Sequence, residues 1–289
     1  YVESYALTSE NDKSCLLGLD IEFLWVSGWQ RLIPGWLLDH VSTCILGGHG
    51  SPDGITKGRG RSPQNWALIL GAQKFCISLF MIKSGIDDGD ILAERWFSYN
   101  QYDDILTSYY KSSLCMGEMV LEFFRNPDLA ISKAMPQVGN ASYYPQRIED
   151  DGWVDWSLNQ LEISRICRAL ARPYPGLRAV IKHDSDCINL RIWKCLPFDD
   201  SVGGHLGVID AVFCTGSFLV NCGDGRMLVE DWTASPGWRP VVGSLLCGRP
   251  LSVELANIIE RHLQAFKHLP IAERLLRKNS HCPEPGEQC

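Results

Sequence analysis

Hydrophobic positions fall in short runs along this chain, and turn residues separate them at intervals that predict strands alternating with helices. Ile21 to Val26 is apolar except for Glu22, the profile of a strand buried on both faces. It ends at Ser27-Gly28, and Trp29 to Pro34 reads as a loop. Trp36 to His40 predicts a short helix and Thr43 to Leu46 the next strand, a βαβ rhythm. Pro63 to Gly71 predicts a helix with Pro in its first turn and Gly at its end. Phe75 to Ile82 is a further strand. Tyr102, Asp103 and Asp104 then cap a long amphipathic helix through Arg125, with Ile105, Leu106, Tyr109, Leu114, Val120, Leu121 and Phe124 facing the core.

Residues 126–150 are polar and carry prolines, the composition of a linker. Ser157 to Leu170 reads as a helix with Leu161, Ile163, Ile166 and Leu170 inward. From Leu177 the pattern turns to short β runs: Ala179–Ile181, Ile188–Trp193, Gly207–Phe213, Phe218–Cys222 and Met227–Glu230. Gly223-Asp224-Gly225 is a hairpin signal between the last two. Leu251 to Phe266 is a final amphipathic helix. The expected division is a catalytic domain over 1–135, a linker with a helix over 136–176, a β-rich domain with its terminal helix over 177–270, and a tail over 271–289.

Composition narrows the class. Of the 289 residues, 45% are hydrophobic and 21% charged, as in ordinary globular proteins. A net charge of −7 argues against a general nucleic-acid binder, which needs a basic face to displace counterions. The twelve cysteines form no Cys-x-x-Cys pair and no zinc-ligand cluster, and most lie in apolar runs, which points to a reducing, cytoplasmic setting. Cys282 and Cys289 stand in a tail expected to be disordered. No apolar stretch approaches the roughly 18 residues of a membrane span.

The chemistry-bearing residues concentrate between Gly47 and Leu92. A Gly-rich turn, Gly-Gly-His-Gly-Ser at 47–51, follows one apolar run. A basic Gly-rich loop, Lys-Gly-Arg-Gly-Arg-Ser-Pro at 57–63, comes next, and Gly-Ile-Asp-Asp-Gly-Asp-Ile-Leu at 85–92 closes the stretch after a second apolar run. One His and one Asp are therefore expected at the mouths of two consecutive strands, where open α/β sheets gather ligand chemistry. A solvated His and an ordinary Asp turn are the plain alternative for each residue alone.

In order and nearly in spacing, His49, Ser51, Arg59, Gly60, Pro63, Trp66, Asp87, Gly89 and Ile91 resemble the signature of the folate-dependent formyltransferases. That family includes methionyl-tRNA formyltransferase and the N-formyltransferases of nucleotide-linked amino sugars. A second similar segment runs from Asp155-Trp156 through Arg168-Ala169 to Pro173-Tyr174-Pro175-Gly176, so the resemblance spans at least residues 19–230. It implies an α/β fold: a Rossmann-like formyltransferase domain, N-terminally short, followed by a small OB-like barrel. It implies transfer of a formyl group from 10-formyltetrahydrofolate to an amine, without a metal.

Acyl transfer to an amine needs a proton acceptor, a stabiliser for the developing oxyanion, and a proton for the leaving nitrogen. The resemblance assigns the proton steps to His49, with Asp87 as its orienting partner. It places Arg31, Leu32, Ile33, Arg61, Lys83, Ser84, Gly85 and Ile86 in the folate pocket. Two departures stand out. The family's Asn two residues before the His is Gly47 here, and Asn65 is near in sequence without a motif match. The chain also opens on Tyr1, just before the segment equivalent to Leu19, where family members carry several more strand–helix units, so a natural short form or a missing N-terminal piece is expected. The acceptor is expected to be a nucleotide-linked amino sugar rather than tRNA, because Arg178, Lys182, Arg191, Lys194, Arg226, Arg239 and Arg249 face eight acidic residues over 178–250. A homodimer is a further expectation of the resemblance, and a folate-binding relative with impaired catalysis is the alternative class.

Overall fold

The computed structural model describes residues 7–29, 31–183 and 186–280. The chain opens with α1 (Glu10–Leu17), β1 (Phe23–Val26), α2 (Gly35–His40), β2 (Cys44–Ser51), β3 (Arg59–Gly60) and α3 (Pro63–Ile69). It continues through β4 (Lys74–Met81), β5 (Ile91–Ser98), α4 (Ile105–Arg125), α5 (Pro127–Ser132) and β6 (Tyr143–Tyr144). Then follow α6 (Gln160–Ala169), β7 (Leu177–His183), β8 (Asp186–Asp199), β9 (Ile209–Val212) and β10 (Phe218–Cys222). The last elements are β11 (Gly225–Ala234), β12 (Leu246–Cys247), α7 (Leu251–Ala265) and α8 (Glu273–Ser280). Two compact units interleave along the sequence: one is Tyr1–Pro63, Lys74–Ser98 and Tyr110–Tyr144, the other Gln64–Gln73, Tyr99–Tyr109 and Pro145–Cys289.

The first unit is built on a four-stranded sheet in the order β1-β2-β4-β5. β1 and β2 are parallel, with Phe23 opposite Cys44, as expected of a βαβ crossover. β2 and β4 are antiparallel, with His49 opposite Ser78, and β5 returns antiparallel to β4. One face packs on α2: Ile33, Leu37, Val41 and Ile45 form a buried cluster joined by Ile82. The other face receives α4, where Met116 lies over Gly48 and Phe123 meets Phe23 edge to face.

β2 is longer than its apolar run predicts. The expected turn at Gly47–Ser51 is strand, and His49 sits inside it. Gly48 and Gly50 are required there by packing: a Cβ on Gly48 would meet Met116, and one on Gly50 would meet Phe75 and Ile77. The stretch read as a linker carries α5 and β6, and a helix, α8, forms in the stretch read as tail. Cys282 and Cys289 lie outside the described residues.

The phase of α4 also departs from the reading. Met119 and Phe123 are buried, whereas Leu106, Leu114, Leu121 and Phe124, expected inward, face solvent. On α6 Leu161 is likewise exposed, while Ile163, Ile166 and Leu170 are buried as expected.

The second unit holds a six-stranded antiparallel sheet ordered β12-β7-β8-β11-β10-β9. Its two edges meet, because Val208 bridges Leu245 and Ile209 N donates to Ser244 O, so the sheet curls into an OB-like barrel with no long free edge. Phe218, Val220, Met227 and Val229 share its interior face. Arg147, whose side chain is 7% exposed, stacks over Trp66 at 5.0 Å and pairs with Glu254 at 3.5 Å. Glu254 in turn accepts from the main-chain N–H groups of Gly152 and Trp153, so this buried charge is both paired and hydrogen-bonded. Among the described residues no helix is long and apolar enough to cross a membrane.

Leu79 on β4 is fully buried opposite Gly48, whose lack of a side chain leaves nothing on that partner to fill the space. Leu79→Ala is expected to cost about 2–5 kcal/mol of stability, read as a lower denaturation midpoint with an unchanged denaturant slope.

Candidate active site

His49, Gly47 and Ser51 share one face of β2, opposite the face that carries α4. Loop 52–61 folds back over that face and presents main-chain groups to it. The His49 ring donates from Nε2 to Gly58 O at 2.8 Å, and its Nδ1 lies 3.5 Å from Asp87 Oδ2. Both neighbours accept, so Nε2 carries the hydrogen it shares with Gly58 O, and the ring must give up that hydrogen and its bond to Gly58 before Nε2 can act as a base. The pair is half-withdrawn from water, with side-chain exposures of 10% for His49 and 24% for Asp87.

Asp87 does not reach His49 from the mouth of a parallel strand. β4 runs against β2, so its C-terminal end lies near Leu46, and the turn over 82–90 must carry Asp87 back toward His49. Asp87 takes φ +49 to do so, a backbone state unfavourable for a residue with a Cβ. Two anchors hold it. Gly60 N donates to Asp87 Oδ2 at 3.1 Å, and Gln137 Nε2 donates to Asp87 O at 2.8 Å and Gly89 O at 2.9 Å. Glycine is needed on the loop: a Cβ on Gly58 would collide with Ser51 Oγ, and Gly60 has φ +94 with Tyr144 O only 2.6 Å from a built Cβ.

Gln137 gave no signal in the sequence, where it lies in the polar stretch read as a linker. Its Oε1 accepts from Arg59 Nε at 3.2 Å, Arg59 Nη2 at 2.8 Å and Thr56 Oγ1 at 3.2 Å. One side-chain amide therefore joins the basic loop to the Asp87 turn. A second feature also escaped notice: Ser78, directly opposite His49 on β4, donates to Glu94 Oε1 at 2.8 Å. Directly opposed residues share a sheet face, so a row His49, Ser78, Glu94 crosses the sheet. Cys76 lies on the same face, and burial, with Glu94 beside it, pushes its thiol up to about 12.

The remaining predicted positions vary. Arg31, Leu32 and Arg61 are exposed, Leu32 with 56% of its surface free. Ile33 turns its side chain into the buried cluster with Ile82, which sets residues 31–33 beside the start of the 83–86 turn. Lys83 and Ser84 are exposed, with Lys83 paired to Asp90 at 2.9 Å, and Gly85 and Ile86 are half-buried. Asn65 is engaged elsewhere, donating from Nδ2 to Ala169 O at 2.6 Å in the second unit. At Gly47 a built Cβ would lie 2.7 Å from Ile82 Cγ1 and 3.1 Å from Phe80 Cζ, so apolar groups take the place of an amide side chain. Among the described residues no group of three His, Cys, Asp or Glu could hold a metal ion.

The family described as formyl transferase, C-terminal domain, matches residues 148–237. A methionyl-tRNA formyltransferase of Dechloromonas aromatica is 27% identical over 233 residues, covering 80% of this chain and 72% of that protein. One of Thermodesulfovibrio yellowstonii is 28% identical over 169 residues, covering 58% of this chain but only 54% of that protein. In fold, the chain is similar to HypX of Aquifex aeolicus solved with tetrahydrofolic acid (TM-score 0.59, 16% identity, 90% of this chain and 51% of that one). It is also similar to an N-formyltransferase of Helicobacter canadensis (TM-score 0.51, 15% identity, 72% of this chain and 73% of that one). Residues 148–237 therefore match a formyl transferase C-terminal domain, and over most of its length the chain is similar to methionyl-tRNA formyltransferases.

Two outcomes test this geometry. Gln137→Ala removes both side-chain bonds from Gln137 to the Asp87 turn, leaving the Gly60 N–H bond in place, and is expected to speed hydrogen exchange of the 83–90 amides while costing about 1–3 kcal/mol of stability. A thiol held near 12 stays protonated at pH 8, so Cys76 is expected to resist alkylation there. The exposed Cys15, Cys187 and Cys214 should label first, read by peptide mass mapping.

Proposed function

We propose that this chain transfers a formyl group from 10-formyltetrahydrofolate to the primary amine of a nucleotide-linked amino sugar, with His49 moving the protons and Asp87 orienting it. The observation that carries the proposal is the His49 ring set between Asp87 Oδ2 and Gly58 O. Asp87 keeps Nδ1 as a donor, so that Nε2 is the atom that exchanges a proton with the reacting groups. Bound 10-formyltetrahydrofolate would supply the formyl group. The donor set suits that molecule: exposed Arg31 and Arg61 can fork onto its carboxylates. Exposed Leu32 offers an apolar surface to its rings, and the 83–86 turn offers main-chain groups.

With Gly47 lacking a side chain, the developing oxyanion is met by His49 itself and by main-chain N–H groups of the site. The acceptor follows from charge. In the barrel, Arg178 pairs with Asp150, Arg191 with Glu149, Lys194 with Glu230, and Arg226 with both Asp199 and Asp210. Most of its cations are thus matched by carboxylates, which favours a small acceptor over tRNA. The names of the two sequence relatives favour methionyl-tRNA as the second reading. The cytoplasm is the compartment we assign, in keeping with ten described cysteines that are all unpaired.

The test is release of tetrahydrofolate from the formyl donor against a panel of nucleotide amino sugars and charged methionyl-tRNA. Turnover with one sugar is expected, and His49→Ala should lower it on the order of 10²-fold or more. Turnover on the tRNA alone would transfer the assignment to the second reading. Donor binding without turnover on any acceptor would mean that Gly47 and the packed Ile82 leave this chain a binder.

A further inference from the structure

The sheet face that carries His49 holds a second ionisable group. Ser78 on β4 lies directly opposite His49, and Glu94 on β5 directly opposite Ser78, so the three stand in one row on one face. The Glu94 side chain leans back along that row: its Oε1 accepts from Ser78 Oγ at 2.8 Å and from Cys76 Sγ at 3.6 Å. Neighbouring strands are roughly 5 Å apart, so a carboxylate bonded to Ser78 stands on the strand next to His49. Glu94 is half-buried, and among the described residues no Lys, Arg or His pairs with it. The cations nearest in the sheet are spent elsewhere: Lys83 on Asp90, Arg95 on Glu122, and Lys74 over the Trp96 ring. Both hydrogens that reach the carboxylate go to one oxygen, so Oε2 has no donor among the described residues.

A carboxylate half-withdrawn from water is costly unless something charged or hydrogen-bonding meets it. The fold supplies no cation, whereas an amine acceptor does, because a primary amine is mostly protonated at neutral pH. We infer that Glu94 receives the acceptor, its Oε2 taking a charge-assisted hydrogen bond from the ammonium beside His49. Ser78 is then a positioning residue, since its bond fixes the carboxylate in the row. The inference rests on reading the chain as an enzyme that formylates an amine.

Glu94 holds the nitrogen while the chemistry passes through His49. The nitrogen loses two protons on the way to the formamide. The first leaves to solvent as the ammonium ionises, and the neutral amine then bonds the formyl carbon. The second passes through His49 Nε2 to N10 of the folate as the C–N10 bond breaks. The product amide carries no charge, so the charge-assisted part of its bond to Glu94 is gone and release is favoured over rebinding. A hydroxyl in place of the amine offers no charge at any stage, and the site discriminates against it.

Glu94→Gln tests this, because the amide keeps an oxygen for Ser78 and removes only the charge. The ligands are the acceptors of the panel above, each matched with a counterpart bearing a hydroxyl in place of the amine. They are titrated by calorimetry in the presence of tetrahydrofolate, which has no formyl group to give. Wild-type protein is expected to bind one amine about 10-fold or more tighter than its hydroxyl counterpart. Glu94→Gln should bind the two within about 2-fold, with its tetrahydrofolate affinity unchanged. In turnover the same substitution should raise the acceptor KM about 10-fold or more and leave the donor KM as it was. No preference in the wild type, or the full preference kept in Glu94→Gln, would overturn the inference. Turnover with an acceptor KM unaltered by Glu94→Gln would overturn it too and leave the transfer reading intact. A preference lost in Glu94→Gln, without turnover on any acceptor, would uphold the amine site and overturn the transfer reading instead.

Discussion

Everything in the candidate site depends on one short piece of main chain. Residues 58–60 accept a hydrogen bond from His49 at Gly58 O and, two residues on, donate one to Asp87 at Gly60 N. Main-chain groups cannot swing away as side chains can, so the separation of the two functional residues is set by the loop backbone. The loop in turn is held to β6, where Arg59 and Gly60 lie in parallel register with Tyr143 and Tyr144. Tyr144 is itself buried and donates to Asp53 Oδ2, closing the loop on its own beginning. The imidazole and the carboxylate are thus set by a framework of backbone bonds, the preorganisation on which proton transfer relies.

That framework explains why sequence reading found the central pair and missed its support. His49 and Asp87 stand in Gly-bounded motifs whose order and spacing carry information locally. Gln137 acts on groups 50 and 78 residues away, and nothing in its neighbourhood differs from a polar linker. The extent of β2 was illegible for a related reason: Gly48 and Gly50 look like turn residues until Met116 and Phe75 are seen to need the space. Pattern failed on α4 because both of its sides are apolar, so periodicity could not say which one meets the sheet. β5 was missed because Glu94 and Arg95 interrupt its apolar run, although Glu94 is drawn into the sheet by Ser78. The barrel strands β7 to β11, by contrast, were each located by an apolar run between turn residues, although β8 and β11 extend well past those runs.

Gly47 shows how one position can change the character of a site without disturbing the fold. Its strand, register and neighbours are ordinary, and Gly47 pairs with Phe80 across the sheet. What differs is the space beside it, which Ile82 enters from the helix-packed side of the sheet. A polar side chain could return there only if Ile82 moved, and Ile82 also packs with Ile33, Leu37, Val41 and Ile45. The chemistry at this point is therefore coupled to the packing of the cluster.

The interleaving of the two units has a consequence for how the polypeptide can be divided. The chain crosses between them at 63/64, 73/74, 98/99, 109/110 and 144/145, five crossings in all. A gene fragment starting at Pro145 would encode every barrel strand yet lack Gln64–Gln73 and Tyr99–Tyr109. It would leave Arg147 without the indole of Trp66, and Ala169 O without Asn65. The barrel looks like a detachable C-terminal module when the strands alone are counted. As a covalent object it is sewn through the first half of the chain, so a ribosome completes the first unit by Tyr144 while holding two pieces of the second that wait for everything after Pro145.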